Sequence, residues 1–373
     1  MSHARVHEID LLRFLAALAV VFYHYAFRGA AAGGLSALSY PAIAPVAQYG
    51  FLGVHLFFMI SGFVILMTAS RGGVADFAIS RAVRLYPALW VCCTLTFAAT
   101  LAIGAPRFSA SAWQYFANLT LLGGFFHVRP MDGVYWSLFV ELRFYALTLA
   151  ILALRRIHRS QRLLTTWLLA SAVLQALPDS KLGYLLIADY SAFFIGGAAC
   201  YLIWSAGASG GRLALLVGAW LLGLVQAHRE AVALGVRFAV NFAPFAVAAT
   251  VTAFFGVLLA IALRRSGWFG RQRWLLAGAL TYPLYLLHQN VGYMLFNRYA
   301  PVVERHLLFW GVIALALTAA YAVHRLAERP LAARLRRSLT RLADRWRPSA
   351  AAPPPPDAAG SAPPGRPAGG DGG

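Results

Sequence analysis

Three ionisable residues, Asp10, Arg13 and His24, sit in an apolar stretch near the N-terminus. In a helix turning about 100° and rising about 1.5 Å per residue, Arg13 and His24 share one face, roughly 16 Å apart along the axis. Asp10 falls on nearly the same face, one turn before Arg13. Ionisable groups at depth in a bilayer are expensive and mark functional positions by default. An arginine can also snorkel to headgroups, and for Arg13 alone the two readings balance. Histidine is a weak anchor and the usual base at neutral pH, so His24 is the candidate general base.

Three further groups could share that chemistry. Ser137, Glu141 and Tyr145 recur every four residues and so face one way, next to Tyr135. Glu141 is then either a carboxylate partner for the base or one half of a structural pair, while Arg143 faces elsewhere. Tyr282, Tyr285 and His288 lie together further on, and His288 suits an interhelical hydrogen bond or a direct role equally well. Arg81 and Arg84, at i and i+3, lie side by side on a helical turn, where they could grip phosphate or simply mark topology.

What must position these residues is a membrane-spanning helix bundle. The chain is 60% hydrophobic and only 12% charged, about half the charged fraction of a soluble domain. Its apolar residues are blocked into runs long enough to cross about 30 Å of hydrocarbon, where backbone groups must bond to one another. The reading is all-α and polytopic, with about ten transmembrane helices. They are expected at Ile9 to Phe27, Tyr49 to Ser70, Val83 to Ile103, Val134 to Leu154 and Leu163 to Leu177. The remainder are Tyr184 to Trp204, Leu213 to Ala227, Phe238 to Leu263, Trp274 to Phe296 and Leu307 to Ala327. The spans starting at Leu163 and Leu213 are short, and Pro244 and Pro283 fall inside helices.

The net charge of +19 comes almost wholly from arginine. Most arginines lie between apolar runs or near the C-terminus, which fits membrane topology and argues against nucleic-acid binding. Alternate loops differ in arginine content, and the bias places both termini in the cytoplasm. Leu331, Leu335, Leu339, Leu342 and Trp346 recur at helical spacing among arginines, so 331–347 reads as a cytoplasmic amphipathic helix against membrane lipids. Residues 348–373 read as a disordered Pro/Ala/Gly-rich tail. Asp10, Arg13 and His24 argue for a retained first helix, since a cleaved signal peptide has no use for them. Cys92, Cys93 and Cys200 have no metal-ligand or disulfide spacing and read as small core residues.

Together these segments resemble the acyltransferase 3 family of bacterial membrane O-acyltransferases, from about Glu8 to Pro330. Ile9-Asp10-Leu11-Leu12-Arg13 through His24 resembles the family's signature of arginine, ten residues, histidine. Gly53 to Phe63 is the second matching element, and Arg81-Ala82-Val83-Arg84 with Pro87 is similar to a paired-arginine loop. Tyr135-Trp136-Ser137-Leu138 with Glu141, Phe144 and Tyr145 is the fourth. Tyr282 to His288 and then Glu328-Arg329-Pro330 complete the set. His55 departs from the pattern, since many members carry aspartate there, and it is given no role. The resemblance is to the stand-alone type, with one acyltransferase domain over 1–330.

The resemblance implies transfer of an acyl group, commonly acetyl, from acyl-CoA to a hydroxyl of a cell-surface or exported carbohydrate, in the bacterial inner membrane. Arg13, Arg81 and Arg84 would meet the donor's phosphates, His24 would be the base with Glu141 as its partner, and Tyr135, Ser137, Tyr282 and His288 would hold the acceptor or oxyanion. Direct transfer and an acyl-histidine intermediate are both compatible. Partners are then acyl-CoA, a carbohydrate or lipid-linked glycan and membrane lipids, with no nucleic acid, no metal and no permanently bound cofactor. A macrolide or other small-molecule acceptor is one alternative. A transmembrane transporter is the other, against which the chain has no inverted repeat.

Overall fold

The computed structural model describes residues 6–177 and 180–345. Helices form at all ten expected places: α1 His7–Ala31, α2 Ala44–Ala69, α3 Val74–Ile103, α4 Tyr135–Ala153 and α5 Ser160–Leu174. Then come α6 Ser191–Ala206, α7 Gly210–Phe238, α8 Pro244–Ala262, α9 Leu275–Tyr299 and α10 Arg305–Arg345. No strand occurs among the described residues. Seven of these helices, all but α5, α6 and α9, are long and apolar enough to cross a membrane. In α9 the shortfall is composition, not length: it spans 25 residues but carries His288, Gln289, Asn290 and Asn297.

Several boundaries differ from the sequence reading. The span expected from Leu213 is in fact 29 residues long, because the polar residues Gln226 to Arg229 and Glu230 continue the helix without breaking it. Pro244 is the first residue of α8, where its missing N–H costs nothing, and not an interior residue. α3 begins at Val74, with the Asp76 carboxylate accepting from the Gly73 N–H. Arg81 and Arg84 therefore stand on α3 itself and not in a loop. α10 runs from Arg305 to Arg345 without a break, so the helix expected at 331–347 continues the last span. Its Leu331, Leu335 and Leu339 are half-buried beside α3, whereas Leu342 is exposed. Trp346 and 348–373 lie outside the described residues.

Two helices locally loosen to π geometry: α1 at Tyr23–Arg28 and α10 at His324–Glu328. Such turns concentrate at functional positions, and these two carry His24 and Glu328.

The core is held most tightly where α2 meets α6. A Cβ on Gly62 would fall 2.0 Å from the Phe194 carbonyl oxygen, and one on Gly197 would fall 1.7 Å from that of Met59. The two backbones touch through reciprocal glycines, as small residues permit between membrane helices. Phe58 stacks on Phe194 and Phe144 packs against the same ring, tying α4 to the pair. Gly197→Val should therefore separate α2 from α6, a lesion above about 4 kcal/mol. Fluorescence-detected size exclusion should show the monodisperse peak lost. Gly256→Ala, where a new Cβ meets nothing within 4 Å, should elute unchanged.

Candidate active site: an arginine chamber and a paired-histidine chamber

α1 and α9 run the same way and α4 runs against them, so residues of different helices meet at two levels. The N-terminal ends of α1, α3 and α9 gather with His324 and Glu328 of α10 around a mouth of about 750 Å³ lined by Asp10, Arg13, Arg84, Arg325 and Arg329. Arg13 and Arg84 also line a deeper chamber of about 70 Å³, joined there by Arg81, Glu141, Tyr282 and Tyr285. Beyond Tyr285 lies a third space of about 270 Å³, lined by His24, Arg28, Trp136, Glu230 and Gln289. Shared walls link the three: Arg13 and Arg84 between the first two, Tyr285 between the last two.

In the arginine chamber Glu141 accepts hydrogen bonds from Ser61 Oγ at 2.7 Å and Tyr145 Oη at 2.8 Å. The geometry corrects its expected pairing: Glu141 is not beside His24 but among the three arginines. The Arg81 guanidinium lies over the rings of Phe77 and Tyr145, donating to Ser80 Oγ at 2.9 Å. Its Nε is buried and makes no hydrogen bond among the described residues. Arg84 lies over the Tyr282 ring, and its Nη1 is 3.6 Å from Glu328, which His324 holds at 2.7 Å. Tyr282 donates to the Leu85 carbonyl, fastening α9 to α3.

The histidine chamber is defined by a relay of hydrogen bonds. His288 Nδ1 lies 3.1 Å from the Leu284 carbonyl oxygen and 2.9 Å from that of Tyr285. Carbonyls only accept, so this nitrogen carries the hydrogen. His288 Nε2 lies 3.0 Å from His24 Nδ1, which also faces the Val20 carbonyl at 2.9 Å. His24 Nδ1 must then carry its own hydrogen, and His288 Nε2 must accept it. The assignment comes from the partners, with both rings neutral. It leaves His24 Nε2 as the lone-pair nitrogen of the ring, on a side chain that lines the chamber. The second member of the pair is thus a histidine, and His288 acts on His24 first.

Ser137 donates to the Val134 carbonyl, and the Tyr285 hydroxyl lies 2.7 Å from Ser137 Oγ. This bond stands at the boundary between the two chambers. Tyr135 is buried and lines neither of them; it belongs to a lateral cavity on the other side of α4.

Sequence reasoning missed Asp132, in the loop before α4. It is fully buried and accepts from the backbone N–H groups of Val134 at 3.1 Å and Asn290 at 2.9 Å. Burial lifts its carboxyl to about 7, with those N–H groups opposing. Asn290 Nδ2 also donates to the Met131 carbonyl, so the loop that starts α4 is pinned to α9 beside His288. A lone loop aspartate carries no periodic signal, which is why it escaped notice. His55 and Glu230 were also unassigned. His55 Nε2 lies 3.0 Å from Glu230 Oε2, off the line of a hydrogen bond, and Glu230 reaches the histidine chamber. Among the described residues no group of three or more His, Cys, Asp or Glu side chains is placed to hold a metal ion.

The class of protein is that of an acyltransferase domain. A family model for that domain matches residues 6–325, and the chain belongs to the acyltransferase 3 family. It is 30% identical over 174 residues to Nodulation protein 10 of Rhizobium leguminosarum bv. viciae, over 40% of this chain and 45% of that protein. The match thus spans less than half of that relative's length. No solved structure matches.

Proposed function

We propose that this protein is a multi-pass membrane O-acyltransferase that moves an acyl group, commonly acetyl, from acyl-CoA to a hydroxyl of a cell-surface or exported carbohydrate. The observation that carries this reading is the connection of an arginine-lined mouth, through shared walls, to a neutral histidine with a free Nε2. Arginine guanidinium groups suit the phosphates of a polyanionic donor. On this reading the mouth faces the cytoplasm of a bacterial cell, where the donor is made and where the arginine bias puts both termini. The pantetheine arm enters the middle chamber by parting its walls, since that chamber holds only about 70 Å³.

The chemistry then balances on one base. His24 Nε2 takes the proton of the acceptor hydroxyl as its oxygen bonds to the thioester carbon. The tetrahedral intermediate breaks its C–S bond, and the His24 imidazolium returns that proton to the leaving thiolate. The same free nitrogen is also a nucleophile, so an acyl-His24 intermediate fits the geometry equally. Glu141, held by Ser61 and Tyr145, sets the charge balance among Arg13, Arg81 and Arg84.

Two measurements test the reading together. The purified protein should bind acyl-CoA in calorimetry. Mass spectrometry should find alkali-labile acyl esters on envelope glycans of producing cells that are missing when the protein is deleted. Absence of acyl-CoA binding together with identical glycans would sink the proposal.

A further inference from the structure

A fourth cavity, of about 390 Å³, lies beside the histidine chamber. That size falls within the ~300–1,000 Å³ usual for small-molecule sites. It is bounded by α4, by the short helix Lys181–Leu185 and its continuation to Tyr190, and by the loop around Gly123 to Pro130. Trp136 and Tyr190 line both this cavity and the histidine chamber, with ring centroids 5.5 Å apart. These two rings therefore form a wall common to the cavity and the space around His24. Trp136 is 39% exposed, so its ring is not consumed by packing.

The rest of the lining is neither simply apolar nor simply charged. Arg143 lies with its guanidinium carbon 4.1 Å from the centroid of the Tyr184 ring and 5.5 Å from that of Phe139. It donates through Nη1 to the Tyr184 carbonyl, while its Nε is buried without a hydrogen bond among the described residues. Asp189 and Asn118 add to the polar part of the wall. Flat aromatic faces suit the C–H faces of a sugar ring, and an arginine and a carboxylate suit its hydroxyls. A lipid tail would offer nothing to the unbonded Nε of Arg143 or to the Asp189 carboxylate.

We infer that this cavity is a carbohydrate subsite, which holds a sugar residue of the acceptor next to the one whose hydroxyl meets His24. The inference rests on the carbohydrate-acceptor reading above. It makes Tyr184 and Arg143 acceptor-binding residues, with no part in donor binding.

The test uses Tyr184→Ala and the double variant Tyr184→Ala, Arg143→Gln. Tyr184 is 55% exposed, so the single variant loses little packing. Two quantities are measured at matched membrane levels: alkali-labile acyl ester on the envelope glycan fraction, and acyl-CoA affinity of the purified protein. Ester should fall about fivefold in the single variant and more than tenfold in the double, with acyl-CoA affinity unchanged. Wild-type ester content in both variants overturns the inference. A parallel loss of acyl-CoA affinity in Tyr184→Ala overturns it too, since the ring would then support the fold and not the acceptor. A wild-type protein that neither binds acyl-CoA nor adds ester marks failure of the acyltransfer reading itself.

Discussion

His24→Ala should abolish glycan acylation while the protein stays at normal membrane levels and still binds acyl-CoA. Removing a general base typically costs about 10²–10⁴ in rate, and here no second group offers a bare lone pair at the same point. His288 does not replace it, because His288 does not line the chamber and its Nε2 reaches only the place that His24 Nδ1 occupied, while its Nδ1 stays on two backbone carbonyls. The alanine variant keeps the Val20 carbonyl beside a small void, so the damage to folding is modest. His288→Leu should behave differently. His24 keeps its bond to Val20 and its free Nε2 but loses the contact that fixes the ring, so transfer should fall by about tenfold and not vanish. Full activity in His24→Ala would remove this residue from the chemistry, whatever its place in the chamber.

The double variant Arg81→Gln, Arg84→Gln should lower acyl-CoA affinity by about 100-fold without blocking insertion. A hydrogen bond to a charged group is worth about 1.5–3 kcal/mol, and every 1.4 kcal/mol is about tenfold in affinity. Both side chains are available for a ligand. Arg81 has a buried Nε without a hydrogen bond among the described residues, and the Arg84–Glu328 contact is long, at 3.6 Å. Glutamine keeps a donor amide at each position, so Glu141 retains polar neighbours along with Ser61 and Tyr145. Calorimetry with acyl-CoA gives the answer directly. Unchanged affinity at normal membrane levels would return both arginines to a purely topological role.

The sequence made the helices legible and the depth of their side chains less so. Apolar run length put a helix at each of ten places, seven of them long and apolar enough to cross a membrane, because a bilayer leaves the backbone no other structure. Spacing also gave the correct face for Arg13, His24, Ser137 and Glu141. It could not give the level at which those faces meet. α4 runs against α1, so moving from Ser137 to Glu141 carries the chain about 6 Å towards the arginines and away from His24. That reversal is why Glu141 belongs with Arg81 and Arg84. α9 runs with α1, and its His288 arrives level with His24. The π turn at Tyr23–Arg28 has no signature in hydropathy, and Asp132 and Glu230 sit where no period picks them out. The boundary errors at α3 and α7 have one cause: charged residues such as Asp76, Arg81 and Glu230 read as ends of helices that in fact continue through them.

The His24–His288 relay has a further consequence, for the membrane as an electrical barrier. A proton captured by His24 finds His288 already committed, its far nitrogen turned onto two carbonyls that cannot carry a proton onward. The pair is a cul-de-sac. A proton must leave His24 by the side on which it arrived, so a general base can work in the bilayer interior without opening a leak through this pair. On that account the purified protein in liposomes should hold an imposed pH gradient as well as empty lipid does, where a proton-coupled carrier would discharge it.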